Sequence, residues 1–273
     1  MSEEYALPAK RIDVHNHLCE DPEGTKLVGL MDQSGIETTL IMGVRTDLPL
    51  ESSNENILQA VRRFPDRLVG GVFADPREPG AIEEVRRYHG EGFRVVKLFP
   101  NVGYYPDDDS LLPFFEKVAE LGMAVLSHCG WLWSPGTISA AYYSHPGRFE
   151  KVIRRFPEMP FIMAHMGGIA GFLETVMLTT RTPNTYADVS PGQGILVIER
   201  GGPIVGAIPP EKLLFGADSY DQLSVMKQSH AGLTKLGFGP HLEKIYYGNA
   251  RAILEKIGAL PKRAGMEEAK PGA

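Results

Sequence analysis

Eight short apolar runs, each trailed by a stretch with helical spacing, restrict this chain to very few folds. The runs begin at Arg11, Thr38, Leu68, Phe93, Met123, Phe161, Thr185 and Lys212. Residues 38–44 are nearly unbroken in apolar character, the mark of a strand covered on both faces. The stretches between have the spacing of covering helices: Ile57, Leu58, Val61 and Phe64 share one helical face before Pro65 ends it. The repeat averages about thirty residues, the length of a βα unit, and eight such units close into a TIM (β/α)8 barrel. An open doubly wound sheet gives the same alternation. No Gly-x-Gly-x-x-Gly follows the first strand, which removes the usual dinucleotide reading, and eight units with nothing left over favour closure. Glycine and proline crowd residues 191–210, where a long or irregular crossover is expected.

Residues 1–260 are expected to form a single barrel domain, and residues 261–273 a polar, poorly ordered tail. The 273 residues are 43% hydrophobic and 23% charged, ordinary for a globular protein, and carry a net charge of -6. That balance offers no basic footprint for nucleic acid or an anionic membrane. No apolar run is long enough to cross a bilayer. Two cysteines, Cys19 and Cys129, are too few for a disulfide framework. A soluble cytoplasmic protein is the expectation, with association into a homo-oligomer left open.

Ionisable residues recur where the strands end. His15 and His17 flank Asn16 on an extended segment, so they share a face. His128, His165 and Asp218 each close an apolar run. In a parallel barrel these ends meet on one rim, where catalytic groups sit. Any one of them is as well explained by a hydrogen-bonded rim residue; five together point to a site. His15, His17, His128 and Asp218 form the nitrogen and carboxylate set that zinc favours, with room for water. Zinc is the expected ion, manganese or another divalent ion the alternative. Lys97, near the end of the fourth run, is either a plain cation or, carboxylated, a bridge to a second metal; one metal and a plain lysine are favoured.

The chain resembles the amidohydrolase superfamily, and within it the amidohydrolase-related branch that includes aminocarboxymuconate-semialdehyde decarboxylase. The resemblance rests on His15-Asn16-His17, Arg154-Arg155-Phe156-Pro157, Ala164-His165-Met166-Gly167-Gly168, Leu214-Phe215-Gly216-Ala217-Asp218-Ser219 and Gly248-Asn249-Ala250-Arg251. It implies that His15, His17, His128 and Asp218 bind the metal and that His165 is an unliganded catalytic histidine. Val96-Lys97-Leu98-Phe99-Pro100 is similar to the lysine strand of binuclear members and of mononuclear relatives alike, which leaves the metal count open.

The expected activity is hydrolysis of a small amide, lactone or ester-like carbonyl by a metal-activated water. Asp218 would move the proton, and His165 would hydrogen-bond the attacked carbonyl or the water. Arg45 could grip a substrate carboxylate or be a surface arginine. Trp131 and Trp133, with Tyr104 and Tyr105, could wall a ring-shaped substrate or pack as a lid. Cys129 should face away from His128, and Asp188 is expected to support a ligand or to be a plain rim carboxylate. The alternative activity is a non-oxidative, metal-dependent decarboxylase (a lyase) of an aromatic or muconate-like carboxylate. A binding protein without turnover is a third reading, disfavoured because binding needs no spare base such as His165.

Overall fold

Period-two apolar runs become strands and the amphipathic stretches become their covers. The computed structural model describes residues 5–18, 21–44, 53–131 and 141–261. Strands β1 (Arg11–Asn16), β2 (Ile36–Met42), β3 (Leu68–Phe73), β4 (Val95–Leu98), β5 (Ala124–Ser127), β6 (Phe161–Met163), β7 (Thr185–Asp188) and β8 (Leu213–Leu214) pair in sequence order, every pair parallel. The ring is drawn closed by Val14 N–H donating to Phe215 O at 3.0 Å and Asp218 N–H to His15 O at 2.6 Å. The fold is therefore the expected TIM barrel. Helices α1 (Thr25–Ser34), α2 (Asn54–Arg63), α3 (Ala81–Gly90), α4 (Leu112–Glu120), α5 (Glu150–Arg155), α6 (Phe172–Arg181), α7 (Gln193–Arg200), α8 (Gln222–Lys235) and α9 (Asn249–Lys256) complete it. Among the described residues no helix is long and apolar enough to cross a membrane.

Alternation along the strands sorts side chains into two cores. Ile12, Val14, Leu40, Val95, Leu126 and Leu214 belong to an inner cluster, to which α9 adds Ile253 and Leu254. Ile41, Val72, Val96, Val125 and Met163 face the helices. The same period carries Lys97, His128 and Asp188 inward, two residues beyond Val95, Leu126 and Tyr186. Cys129 falls on the helix-facing side, as expected.

Two strands break the period, and both breaks serve the rim. On β1 the register steps from Asp13↔Thr39 to Asn16↔Ile41, three residues against two. This bulge re-aims His15, which strict alternation after Val14 would turn outward. Buried Asp13 holds the bulge: its carboxylate accepts from His15 N, Ala217 N, Asn16 Nδ2 and Gln222 Nε2. Just past the end of β6, His165 and Met166 both have φ of 56°, a left-handed kink that swings His165 to the rim instead of into the helix layer.

Residues 191–210 are more regular than their glycines and prolines suggest. Ile195, Val197 and Ile198 bury one side of α7, and packing overrides the local breakers there. Ahead of α9 the chain passes through a 3-10 turn, Gly239–His241, and a π-type segment, Lys244–Gly248, that runs into it. The expected polar tail, residues 261–273, lies outside the described residues from 262 on.

Candidate active site

A cavity of about 280 Å³ opens at the C-terminal ends of the strands. His15, His17, Lys97, His128, His165 and Asp218, with Gln193, supply its polar lining, and Val44, Phe73, Phe99 and Trp131 its apolar walls. Ligand atoms of His15, His17 and Asp218 lie within 4.8 Å of one another. His17 Nε2 stands 3.4 Å from Asp218 Oδ1, and His15 Nε2 3.8 Å. His165 Nε2 is 3.8 Å from the other Asp218 oxygen.

Hydrogen bonds decide which nitrogen of each ligand histidine is bare. His15 Nδ1 meets Asp188 Oδ2 at 2.9 Å, and His17 Nδ1 meets the carbonyl of Met42 at 2.9 Å. Both partners are acceptors, so both Nδ1 atoms carry the proton, and each Nε2 keeps a lone pair. Lys97 Nζ donates to that lone pair on His15 at 2.9 Å. His128 Nδ1 lies 3.2 Å from His165 Nε2, while its Nε2 is buried with no hydrogen-bond partner among the described residues. An orphaned nitrogen, two oriented lone pairs and a carboxylate are donors that fit a divalent cation. A second grouping, His15 with His165 and Asp188, also lies within 4.8 Å, but its carboxylate is already committed to hydrogen bonds.

The electrostatics favour neutral imidazoles. Burial, reinforced by Lys97, pushes the His17 pKa down to about 3. Burial and the neighbouring His15 bring His165 to about 3. His15 and His128 also fall well below the ordinary histidine value, first through burial. Burial raises Asp218 to about 7 against the pull of Lys97, and lowers Lys97 to about 8 against the pull of Asp218 and Asp188. The site thus holds neutral ligands beside a carboxyl able to exchange a proton near neutral pH.

His15, His17, His128, His165, Asp218 and Trp131 therefore share one cavity, as does Lys97. Arg45 and Trp133 lie outside the described residues. His89, His145, His230 and His241 sit on helices and turns away from it. Sequence reasoning missed Ser190, whose hydroxyl lies 2.8 Å from His165 Nδ1; a lone serine after a weak strand carries no signal of its own. It also missed Gln193, whose side-chain amide accepts from Trp131 N at 3.1 Å and donates to Trp131 O at 2.6 Å.

The model of the Amidohydrolase family matches residues 43–256, a span that includes His128, His165 and Asp218. The chain belongs to the amidohydrolase family. The match leaves out β1, so His15 and His17 stand in this amidohydrolase site on geometry alone. A comparison with curated proteins returns no match. Among solved structures, a TIM-barrel protein from Bordetella bronchiseptica is similar with a TM-score of 0.72 at 19% identity, over 91% of this chain and 99% of that one. A probable 2-pyrone-4,6-dicarboxylic acid hydrolase from Acinetobacter baumannii, with citric acid bound, gives 0.64 at 16% identity, over 91% and 99%. A 5-carboxyvanillate decarboxylase from Novosphingobium aromaticivorans, with manganese bound, gives 0.63 at 13% identity, over 90% and 97%. At these identities the likeness carries the fold, not the reaction.

Proposed function

We propose that this amidohydrolase is a metal-dependent hydrolase of a small amide, lactone or ester-like substrate. The observation that carries the reading is the convergence of His15, His17 and Asp218 ligand atoms within 4.8 Å, in a cavity shared with two further imidazoles. His15, His17, His128 and Asp218 would hold one ion, zinc by its donor set, with manganese the alternative. When bound, such an ion supplies Lewis acidity, easing deprotonation of water and polarising a carbonyl. Asp218, raised to about 7, accepts the proton of the attacking water and passes it to the leaving group. His165 hydrogen-bonds the reacting oxygens beside it. Phe73, Phe99 and Trp131 exclude water from one side and suit a flat ring. Arg45 follows Val44 in sequence and would grip a carboxylate on that ring. Residues 1–260 would form the whole catalytic domain, in the cytoplasm.

One observation favours a second reading. Lys97 is buried in the same cavity, and a cation there could hold the carboxylate that a decarboxylase removes. A screen of lactones and amides beside aromatic and muconate-like carboxylates, scored for acid release against carbon dioxide release, separates the two. Elemental analysis is expected to find about one zinc or manganese per chain. His165→Asn is expected to keep that metal while turnover falls about 100-fold or more; loss of the metal would make His165 a ligand instead.

A further inference from the structure

We propose that Ser190 is a positioning residue: it fixes His165 as the Nδ1–H tautomer and, through His165, leaves His128 with a bare Nε2. The inference follows from counting protons along one buried chain. Asp188 accepts four times: its Oδ2 from His15 Nδ1, and its Oδ1 from His165 N, Ser190 N and the Ser190 hydroxyl. A carboxylate so occupied is an acceptor throughout. The single hydroxyl proton of Ser190 is spent on it, so towards His165 Nδ1, 2.8 Å away, Ser190 Oγ can only accept. His165 Nδ1 therefore carries the ring's proton, and its Nε2 carries a lone pair. That lone pair faces His128 Nδ1 at 3.2 Å, which must donate. A neutral imidazole has one N–H, so the buried Nε2 of His128, which has no hydrogen-bond partner among the described residues, is bare. Running the chain backwards would set the oxygen lone pairs of Ser190 against those of Asp188.

One carboxylate thus sets the tautomers of three rings: His15 directly, His165 through Ser190, and His128 through His165. This deepens the proposed hydrolase reading, and rests on it, in one respect. A bare Nε2 makes His165 a hydrogen-bond acceptor towards the attacking water, orienting it for Asp218, and not a donor to the developing oxyanion.

The test uses metal-free full-length protein labelled with 15N-histidine, in which long-range proton–nitrogen spectra separate the two tautomers. His165→Asn and His128→Asn assign the signals. Wild type is expected to show Nδ1–H at both residues. In Ser190→Ala, His165 is expected to move to Nε2–H or a mixture, with His128 following, and zinc affinity by chelator competition to fall about tenfold. Ser190→Thr, which keeps the hydroxyl, is expected to restore both. Nε2–H at His165 in wild type, or unchanged tautomers in Ser190→Ala, would overturn the inference. If Ser190→Ala does not fold, the wild-type spectrum decides alone. The tautomers are read without metal or substrate, so a substrate screen that fails leaves this result standing.

Discussion

Asp188 shows how much chemistry one side chain can organise. It is fully buried, and four donors from three residues converge on it. Substituting asparagine keeps the shape but removes one acceptor: with the amide oxygen retained on the His165 and Ser190 side, the NH2 group faces His15 Nδ1. His15 must then accept there and carry its proton on Nε2, pointing it at the ligand site. We expect Asp188→Asn to weaken zinc binding by about 10- to 100-fold, measured by competition with a chelator; unchanged affinity would remove His15 from the ligand set. The sequence shows Asp188 ending a strand, and period two turns Lys97, His128 and Asp188 inward without further information. It shows neither Ser190 nor the true aim of His15 and His165. Those depend on a bulge and on two left-handed residues, both produced by long-range contacts that a local period does not encode.

At the scale of elements, the rim loops are locked more tightly than their composition suggests. Gly130 after β5 and Gly168 after β6 have φ of 90° and 72°, and a Cβ on Gly130 would stand 2.9 Å from the Gly168 Cα and 2.7 Å from Gln193 Oε1. Gln193, the first residue of α7, ties the Trp131 backbone down from the third loop. Gly29 offers the contrast: it lies inside α1 with nothing within 4 Å of an added Cβ. Gly130→Ala is expected to cost about 2 kcal/mol in urea unfolding, from strain and close contact. Gly29→Ala is expected to gain about 0.5–1 kcal/mol, from helix propensity alone. Equal effects would mean the loops yield freely. Both glycines look alike in sequence, which is also why α7 was legible only as an irregular crossover. Most other strands and helices were legible because their apolar spacing is unbroken, and there local pattern and tertiary burial agree.

Closing eight strands into one ring brings four imidazoles and three carboxylates together at one rim, and that has a consequence for the whole molecule. Burial holds His17 and His165 to about 3, and His15 and His128 well below their ordinary 6.5. Such a histidine takes up its proton only on unfolding, so the stability it allows at neutral pH is lost as pH falls below about 6.5. Asp13 and Asp218, raised by burial to about 6 and about 7, act in the opposite sense. The folded state binds their protons first, so acidification towards the unfolded value of 3.8 favours folding. Four groups oppose two, and the Asp218 side chain, 27% exposed, weighs least. The metal-free protein is therefore expected to lose stability as the pH falls from about 7.5 to about 5, read as a falling urea midpoint. Zinc should raise the midpoint at the upper pH and progressively fail to do so at the lower, because protons compete for the same lone pairs. A metal-free midpoint that stays flat or rises in acid would mean that these histidines are solvated or charged in the folded state. The lone pairs on which both the metal site and the Ser190 relay depend would then not be held ready by the fold.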